Sequence, residues 1–367
     1  MAVKNFEPIR AASDITTTRT LLHEAIPLTG QIVSGTYGVF RSEGNVKNYS
    51  HGMFQSVYDY PYLSSSANHI FDITVGYDES SYHSGSSSTQ NAKKINIYNQ
   101  FSQVLLGYSG SNNKVEVFES DLKLDDVNQM KECIFLSFSR LLIKDQIKKG
   151  TVNLKIGTGS AWLKPFGASG LKATIELKDS KATETEGTLN TVGGDYGVLY
   201  ATALADGTAI TAITGGVVFY QAGIIALTSS IFAGPATVGA LFPEFYKDAG
   251  GTAQKIKGAM SASAISGTAD AIRHRIYSIS LNNTTEINST IYFCRMPHNK
   301  YNYSANPTYT SGSKIRVKNV ASDYPKAYVT TIGLYNAAEE LLACAKLSEP
   351  LKKDPTIELT LRTRLDY

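Results

Sequence analysis

The chain has 367 residues, 42% of them apolar and only 18% charged, with 22 tyrosines against 14 phenylalanines and a formal net charge of +3. That apolar content excludes a wholly disordered chain, and the interspersed charges exclude the clustered basic face or tail of a nucleic-acid binder. A surface poor in charge and rich in Ser, Thr, Asn and Tyr fits one covered by neighbouring subunits, or simply a β-rich protein.

In chain order, residues 1–30 read as an arm with a short helix. "SDITTTRTLLHEAIPLTG" offers Ser13 or Asp14 as cap, and Pro27 and Gly30 stop it. From "QIVSGTYGVF" (31–40) onward the texture is strands punctuated by Gly, Ser, Asn and Pro. "NHIFDITVGY" (68–77) alternates, with Ile70, Asp72, Thr74 and Gly76 on one side and Phe71, Ile73, Val75 and Tyr77 on the other. That pattern predicts a half-buried strand. "DESSYHSGSSSTQNAKK" (78–94) reads as a polar loop that stays mobile unless a partner orders it. In "NIYNQFSQVLLGY" (96–108), Ile97, Phe101, Val104, Leu105 and Tyr108 fall near helical spacing, and Gly107 stands near the end of that helix. "GSNNKVEVFESD" (110–121) follows as a turn and an alternating segment at Val115 and Val117.

Further on, "CIFLSF" predicts a strand, "SRLLIKDQIKKG" one or two helical turns closed by Gly150, and "TVNLKIG" another strand. The nearest approach to a basic cluster, Lys144, Lys148, Lys149 and Lys155, is broken by Asp145 and reads as a solvated turn. "GDYGVLYA" (194–201) and "GGVVFYQAGIIALTSSIF" (215–232) predict strands buried on both faces. The second of these is polar-interrupted and too short for a bilayer span. "YKDAGGTAQKIKGAMSASAISGTADAIRHR" (246–275) fits either a weak helix or a loop ordered by packing. "RIYSISLNNTTEINSTIYFCRM" (275–296) reads as a hairpin turning at Asn282-Asn283.

A search for chemistry finds none: the expectation is no catalytic, cofactor-binding or metal-ligating residue, and no enzyme. His23, His51, His69, His83, His274 and His298 show no metal-ligand spacing. Cys133, Cys294 and Cys344 sit in apolar runs and read as small buried hydrophobes. "GTGSAWLKPFGASG" (157–170) lacks the Gly-Lys-Ser/Thr of a phosphate loop and reads as a turn. No nucleophile elbow or facing carboxylate pair stands out. Asn48, Asn282, Asn283, Asn288 and Asn302 match the glycan-acceptor pattern, but "MAVKNFEPIR" carries no secretory signal, so the matches read as chance.

Near the C-terminus, "YVTTIGLYNAAEELLACAKLSEPLKK" joins a strand-like half to one with good helix formers. A helix there would be short and would strand "YVTTIGLY" at an edge. The segment therefore predicts a hairpin over 327–348, turning at Asn336–Glu340, with Pro350 where the return strand ends.

Several stretches resemble virion structural proteins of large contractile-tailed bacteriophages, marine and cyanobacterial ones especially. They are "QSVYDYPYLSSSANHIFDITVGY", "FLSFSRLLIKDQIKKGTVNLKIG", "GDYGVLYATA", "VVFYQAGIIALTSSIF" and the C-terminal segment with "LRTRLDY". The last is similar to a recurrent hairpin of phage tail and baseplate proteins. The resemblance is one of texture across most of the chain, with no catalytic signature. It implies a tail, baseplate or neck component of the virion, made in the bacterial cytoplasm. Its partners would be copies of itself and neighbouring virion proteins, and the segments 1–20 and 78–94 are candidates to reach them. A head-associated or head-decorating protein is the alternative within that biology. A β-rich glycan-binding adhesin, with Tyr and Asn as a sugar platform, is the alternative outside it. No cofactor, nucleic acid or membrane span is expected.

The expected architecture is mainly β with a few short helices. A sandwich- or barrel-like body over 31–300, with extended loops, is flanked by the arm 1–30 and a C-terminal β-hairpin region 301–367. A soft subdomain boundary falls near 158–190.

Overall fold

A computed structural model describes residues 6–29, 43–85, 89–108, 114–121, 123–157, 174–184, 188–203, 209–232, 246–247, 253–254, 260, 264–303, 310–311, 314–315 and 325–367. The readings placed on 31–40, on the turn 158–170 and on most of 246–263 lie outside the described residues, as does part of the boundary at 158–190. The chain is β-rich, with a large antiparallel sheet and few helices. It divides into two compact units, Met1–Leu21 with Glu286–Tyr367, and Leu22–Thr285.

In the larger unit the sheet runs from the first half of Ile276–Met296 through Asn153–Gly157, Thr174–Lys178, Gly194–Ala203, Ala209–Phe219, Ile224–Thr228, Glu132–Phe138, His69–Tyr77 and Gln55–Tyr58 to Val46–Asn48. Its centre is a set of continuous apolar strands, as expected of strands covered on both faces. Val217, Val218 and Phe219 pair with Ala226, Ile225 and Ile224, which in turn pair with Phe135, Leu136 and Ser137. Aromatic rings interlock across them. Phe101 stacks on Phe135 at 4.2 Å, and Tyr196 stacks on Phe219 at 5.2 Å.

The strand His69–Tyr77 is buried on both sides, with only His69 and Asp72 half-exposed, and so departs from the half-buried expectation. Helices Thr89–Leu105 and Ile265–Arg275 both pack against it. Gly76 makes the first contact possible, because a Cβ there would stand 2.8 Å from backbone atoms of Lys94 and Tyr98. The helix begins seven residues before the expected one and closes at Gly107, whose φ is +94°. Its polar first turns concealed it: Asn91 is bonded to the Tyr77 hydroxyl, and buried Lys94 donates to the Met260 carbonyl. The loop reading of 78–94 accordingly fails over Thr89–Lys94. Its start is also pinned, with Ser81 donating to Glu132 at 2.5 Å and His83 buried beside Tyr77.

Buried Asp179 forms a second polar anchor, accepting from Gly150 N–H (2.7 Å), Val152 N–H (2.9 Å) and Tyr220 O–H (3.0 Å). The helical turn predicted over 139–150 is Arg140–Ile143 and ends at Lys144, whose φ is +54°, not at Gly150; the strand Gln146–Ile147 intervenes, and Gly150, at φ +75°, lies in the turn before Asn153–Gly157. Lys149 and Lys155 form ion pairs with Asp195 (2.6 Å) and Glu176 (3.6 Å).

The predicted hairpin over 275–296 is instead one continuous strand, Ile276–Met296. Asn283 and Thr284 stay in the ladder opposite Ile147 and Gln146, and the Asn283 amide donates to the Leu142 carbonyl. With their polar groups satisfied by neighbours, these residues have no need of the left-handed backbone that a two-residue turn requires.

In the smaller unit, Ser289–Met296 pairs antiparallel with Leu359–Asp366. The N-terminal helix is Ala11–Asp14, so Asp14 ends it rather than capping its start, and the β-branched run that follows is the strand Ile15–Thr29. The Asp14 carboxylate accepts from Arg10 N–H and ion-pairs with Arg295. The C-terminal segment is a hairpin, Ala327–Tyr335 with Leu341–Lys353, forming its own two-stranded sheet. Its return strand runs past Pro350 to Lys353. The pairing jumps from Thr331↔Lys346 to Val329↔Leu351, so Pro350 falls in the resulting bulge, where no ladder N–H is required.

Candidate assembly surface

The C-terminal hairpin is built around its turn. Asn336 Oδ1 accepts from the N–H groups of Ala338 (3.0 Å) and Glu340 (2.9 Å), and Glu339 adopts a left-handed φ of +60°. An Asn side chain bonding to the backbone two residues on is the physical reason this segment turns despite its helix-forming letters. Alternation then divides the strands. Ile332, Leu334, Ala343, Ala345 and Leu347 face inward to varying depth, while Leu342, Cys344 and Lys346 are exposed on the other side; Glu340, whose carboxylate accepts from the Asn336 side-chain amide at 2.7 Å, belongs to the turn.

Tyr335 and Leu341 join the exposed side. A second register break between Leu334 and Tyr335 places Leu341 opposite Tyr335, and both side chains fold over Gly333. Leu341 is 55% exposed and Leu342 68%. A two-stranded sheet with this much exposed apolar surface is marginal alone, which makes it a candidate contact surface. Cys344 is therefore exposed, contrary to its reading as buried packing, while Cys133 is buried and Cys294 half-buried. The signal for this surface was present in the sequence as the every-second-residue set 342, 344 and 346.

The inward side borders a groove of about 980 Å³ within the smaller unit, walled by Phe6–Arg10, Phe293–Pro297 and Val329–Ala337. Its acids and bases are largely mutually neutralised: Glu7 pairs with Lys300 at 2.6 Å, and Asp14 with Arg295 at 2.5 Å. Phe6 meets the Tyr335 ring edge-on at 5.0 Å.

The larger unit carries a separate aromatic cluster that sequence reading missed. Tyr49 stacks on His51 at 5.2 Å and touches Phe54 at 4.8 Å, and Tyr58 lies between Tyr62 and His69.

The histidines do not converge. His69 bonds to Asp72, His23 to Thr284, His51 accepts from Met53 N–H, and His274 bonds to the Asp270 carbonyl. Among the described residues no group of three or more His, Cys, Asp or Glu is placed to hold a metal ion. No helix among them is long and apolar enough to cross a membrane. Burial raises the Cys133 thiol well above its ordinary range, which makes it a poor nucleophile. No protein-family model, curated protein or solved structure matches the chain.

Proposed function

We propose that the chain is a structural component of a tailed-bacteriophage virion, in the tail, baseplate or neck, acting through subunit assembly rather than catalysis. The observation that carries this reading is the C-terminal hairpin, which leaves Tyr335, Leu341 and Leu342 exposed on a two-stranded sheet. Apolar surface of that kind is unfavourable in a free protein and useful where a neighbour covers it. The low charge of the chain and the phage-like texture of its segments support the same role. Mass spectrometry of purified particles is expected to find it in many copies per virion. Its presence in infected-cell lysate and absence from particles overturns the reading. Gold labelling of particles against this chain separates a tail, baseplate or neck location from the head-associated alternative.

The aromatic cluster around Tyr49 and Tyr58 favours a second reading, a glycan-binding module, because sugar faces stack on exposed aromatic rings. That reading requires saturable binding of the isolated protein to host polysaccharide on an array, lost on Tyr62→Ala.

A further inference from the structure

In the larger unit the strands Val46–Asn48, Gln55–Tyr58 and His69–Tyr77 set a row of polar side chains beside an exposed aromatic ring. Ser56 stands opposite Asp72 across the ladder, and Tyr58 opposite His69. Asp72 Oδ1 accepts from the Ser56 hydroxyl at 2.5 Å and bonds to His69 Nε2 at 2.8 Å. The Tyr49 hydroxyl lies 3.3 Å from Ser56 Oγ. Ser56 has one proton and gives it to Asp72, so Tyr49 is the donor of that bond. Two bonds thus fix Oδ1 of Asp72, and among the described residues no group bonds to Oδ2. The side chain is 32% exposed, so the row presents an oriented acceptor at the surface.

Tyr62 supplies an apolar face next to it. This residue is 39% exposed, its ring 6.4 Å from that of Tyr58, which in turn lies 5.5 Å from His69. The loop that carries Tyr62 is tied down. Asp59 accepts from Asn68 N–H at 2.6 Å and from its side-chain amide at 2.8 Å, and Tyr62 N–H donates to the Gly44 carbonyl at 3.1 Å. A ring already held in place loses little freedom when a ligand stacks on it. Burial, with Tyr49 and Asp72 close by, raises the Tyr58 hydroxyl above its ordinary range, so it stays protonated.

An aromatic face beside a fixed acceptor is the chemistry that recognises a pyranose. The C–H groups of one sugar face lie on the ring, and a hydroxyl at the sugar's edge donates to the carboxylate. A purely apolar guest would strip water from Asp72 and return no hydrogen bond. Lys47, Ser56 and Asp72 follow one another across the ladder, one base and one acid, so the row favours neither an anion nor a cation. We propose that Tyr62, Tyr58 and Asp72 form a binding site for a neutral hexose unit of a polysaccharide, with Tyr62 stacked on the sugar and Asp72 Oδ2 accepting from its hydroxyl. Ser56 and His69 act as positioning residues for the carboxylate. The site rests on the glycan-binding reading above and adds to it a sugar class and an anchor.

The test is affinity electrophoresis of the full chain through native gels containing dextran, mannan or galactan, with alginate as the uronate control. At least one neutral polysaccharide is expected to retard the protein, and alginate is not. Tyr62→Ala, on an exposed loop, should abolish retardation, and Tyr62→Phe should keep it, because the ring face and not the hydroxyl makes the contact. Asp72→Asn should weaken binding about tenfold, the difference between a charged and a neutral acceptor. Retardation by a neutral polysaccharide that Tyr62→Ala and Asp72→Asn both leave unchanged overturns this site and leaves the glycan-binding reading standing. Retardation by alginate alone does the same. No retardation in any of the four gels overturns the site and that reading together.

Discussion

Two hairpins of similar apolar texture have opposite fates in this molecule. Ala209–Phe219 with Ile224–Thr228 lies inside the large sheet, and Gly215–Tyr220 and Ile225–Leu227 are buried. Ala327–Tyr335 with Leu341–Lys353 forms a sheet of two strands and leaves most of its length half- or fully exposed. The first has strands on both flanks, because Gly194–Ala203 pairs with one arm and Glu132–Phe138 with the other. Among the described residues the second has only its own two arms. Apolar character proposes burial, and the number of neighbouring strands decides whether it happens.

The largest expected effect sharpens that contrast directly. Phe219 is fully buried between Tyr196 and Phe118, and Phe219→Ala should cost about 3–5 kcal/mol by transfer and cavity terms together. Leu342→Ala, on the exposed hairpin, should stay within about 0.5 kcal/mol for the isolated protein. Denaturant midpoints of the two variants measure the difference. Equal losses would mean that the hairpin is as deeply packed as the sheet.

Legibility in the sequence followed the same division. The central strands were readable because continuous runs such as "VVFY" and "GIIALT" carry their burial in their composition. The C-terminal hairpin was readable because its alternation and its Asn336 turn are both local. What misled was polar residues in structural service. Asn282-Asn283 resembles a turn, yet side-chain bonds from distant segments hold it extended. Asn91 and Lys94 resemble loop residues, yet both are buried under the helix they begin. No local pattern encodes a partner that lies tens of residues away. The assembly face was half legible. Its alternation is in the sequence, but Cys344 among Leu and Ala looked like core, and among the described residues no strand or helix covers it.

The next expected effect tests whether the larger unit depends on its polar anchor as well as its apolar one. Asp179→Ala strips the acceptor from two backbone N–H groups and from the Tyr220 hydroxyl. Each buried group left unsatisfied costs about 1–3 kcal/mol, and since the three share one side chain the losses do not simply add. A loss of about 3 kcal/mol is expected. Asp179→Asn should recover only part of it, because Oδ2 now serves both Gly150 N–H and Tyr220 O–H, and an amide NH₂ in its place cannot accept from Gly150. A neutral outcome for Asp179→Ala would show that the turn 148–152 is held by its strands alone.

The smallest effect separates the two units by acid. In the smaller unit the folded state holds three carboxyls below their ordinary range. Asp354 is lowered to about 2 by the Thr356 hydroxyl and by Lys352, Asp14 chiefly by the Arg10 N–H, and Asp366 by Ser289 and Arg364. In the larger unit Asp179, Glu119 and Glu116 are raised, each chiefly by burial. Glu176 runs the other way there: burial raises it, but bonds from Asn153 and Lys178 outweigh that. A lowered carboxyl stabilises the fold above its ordinary value of about 3.8, and that contribution disappears as pH falls toward 2. A raised carboxyl behaves inversely, stabilising most when protonated, so acid strengthens what it contributes. Hydrogen-exchange protection, corrected for the intrinsic rate and followed from about pH 6 to about pH 3, should therefore fall first in 327–366 and later in the strands 132–138 and 224–228. Asp354→Asn should flatten the response of the smaller unit and leave the larger one alone. Loss of protection beginning in the central strands would mean that the buried carboxyls of the larger unit, and not the hydrogen-bonded ones near the hairpin, govern how this protein meets acid.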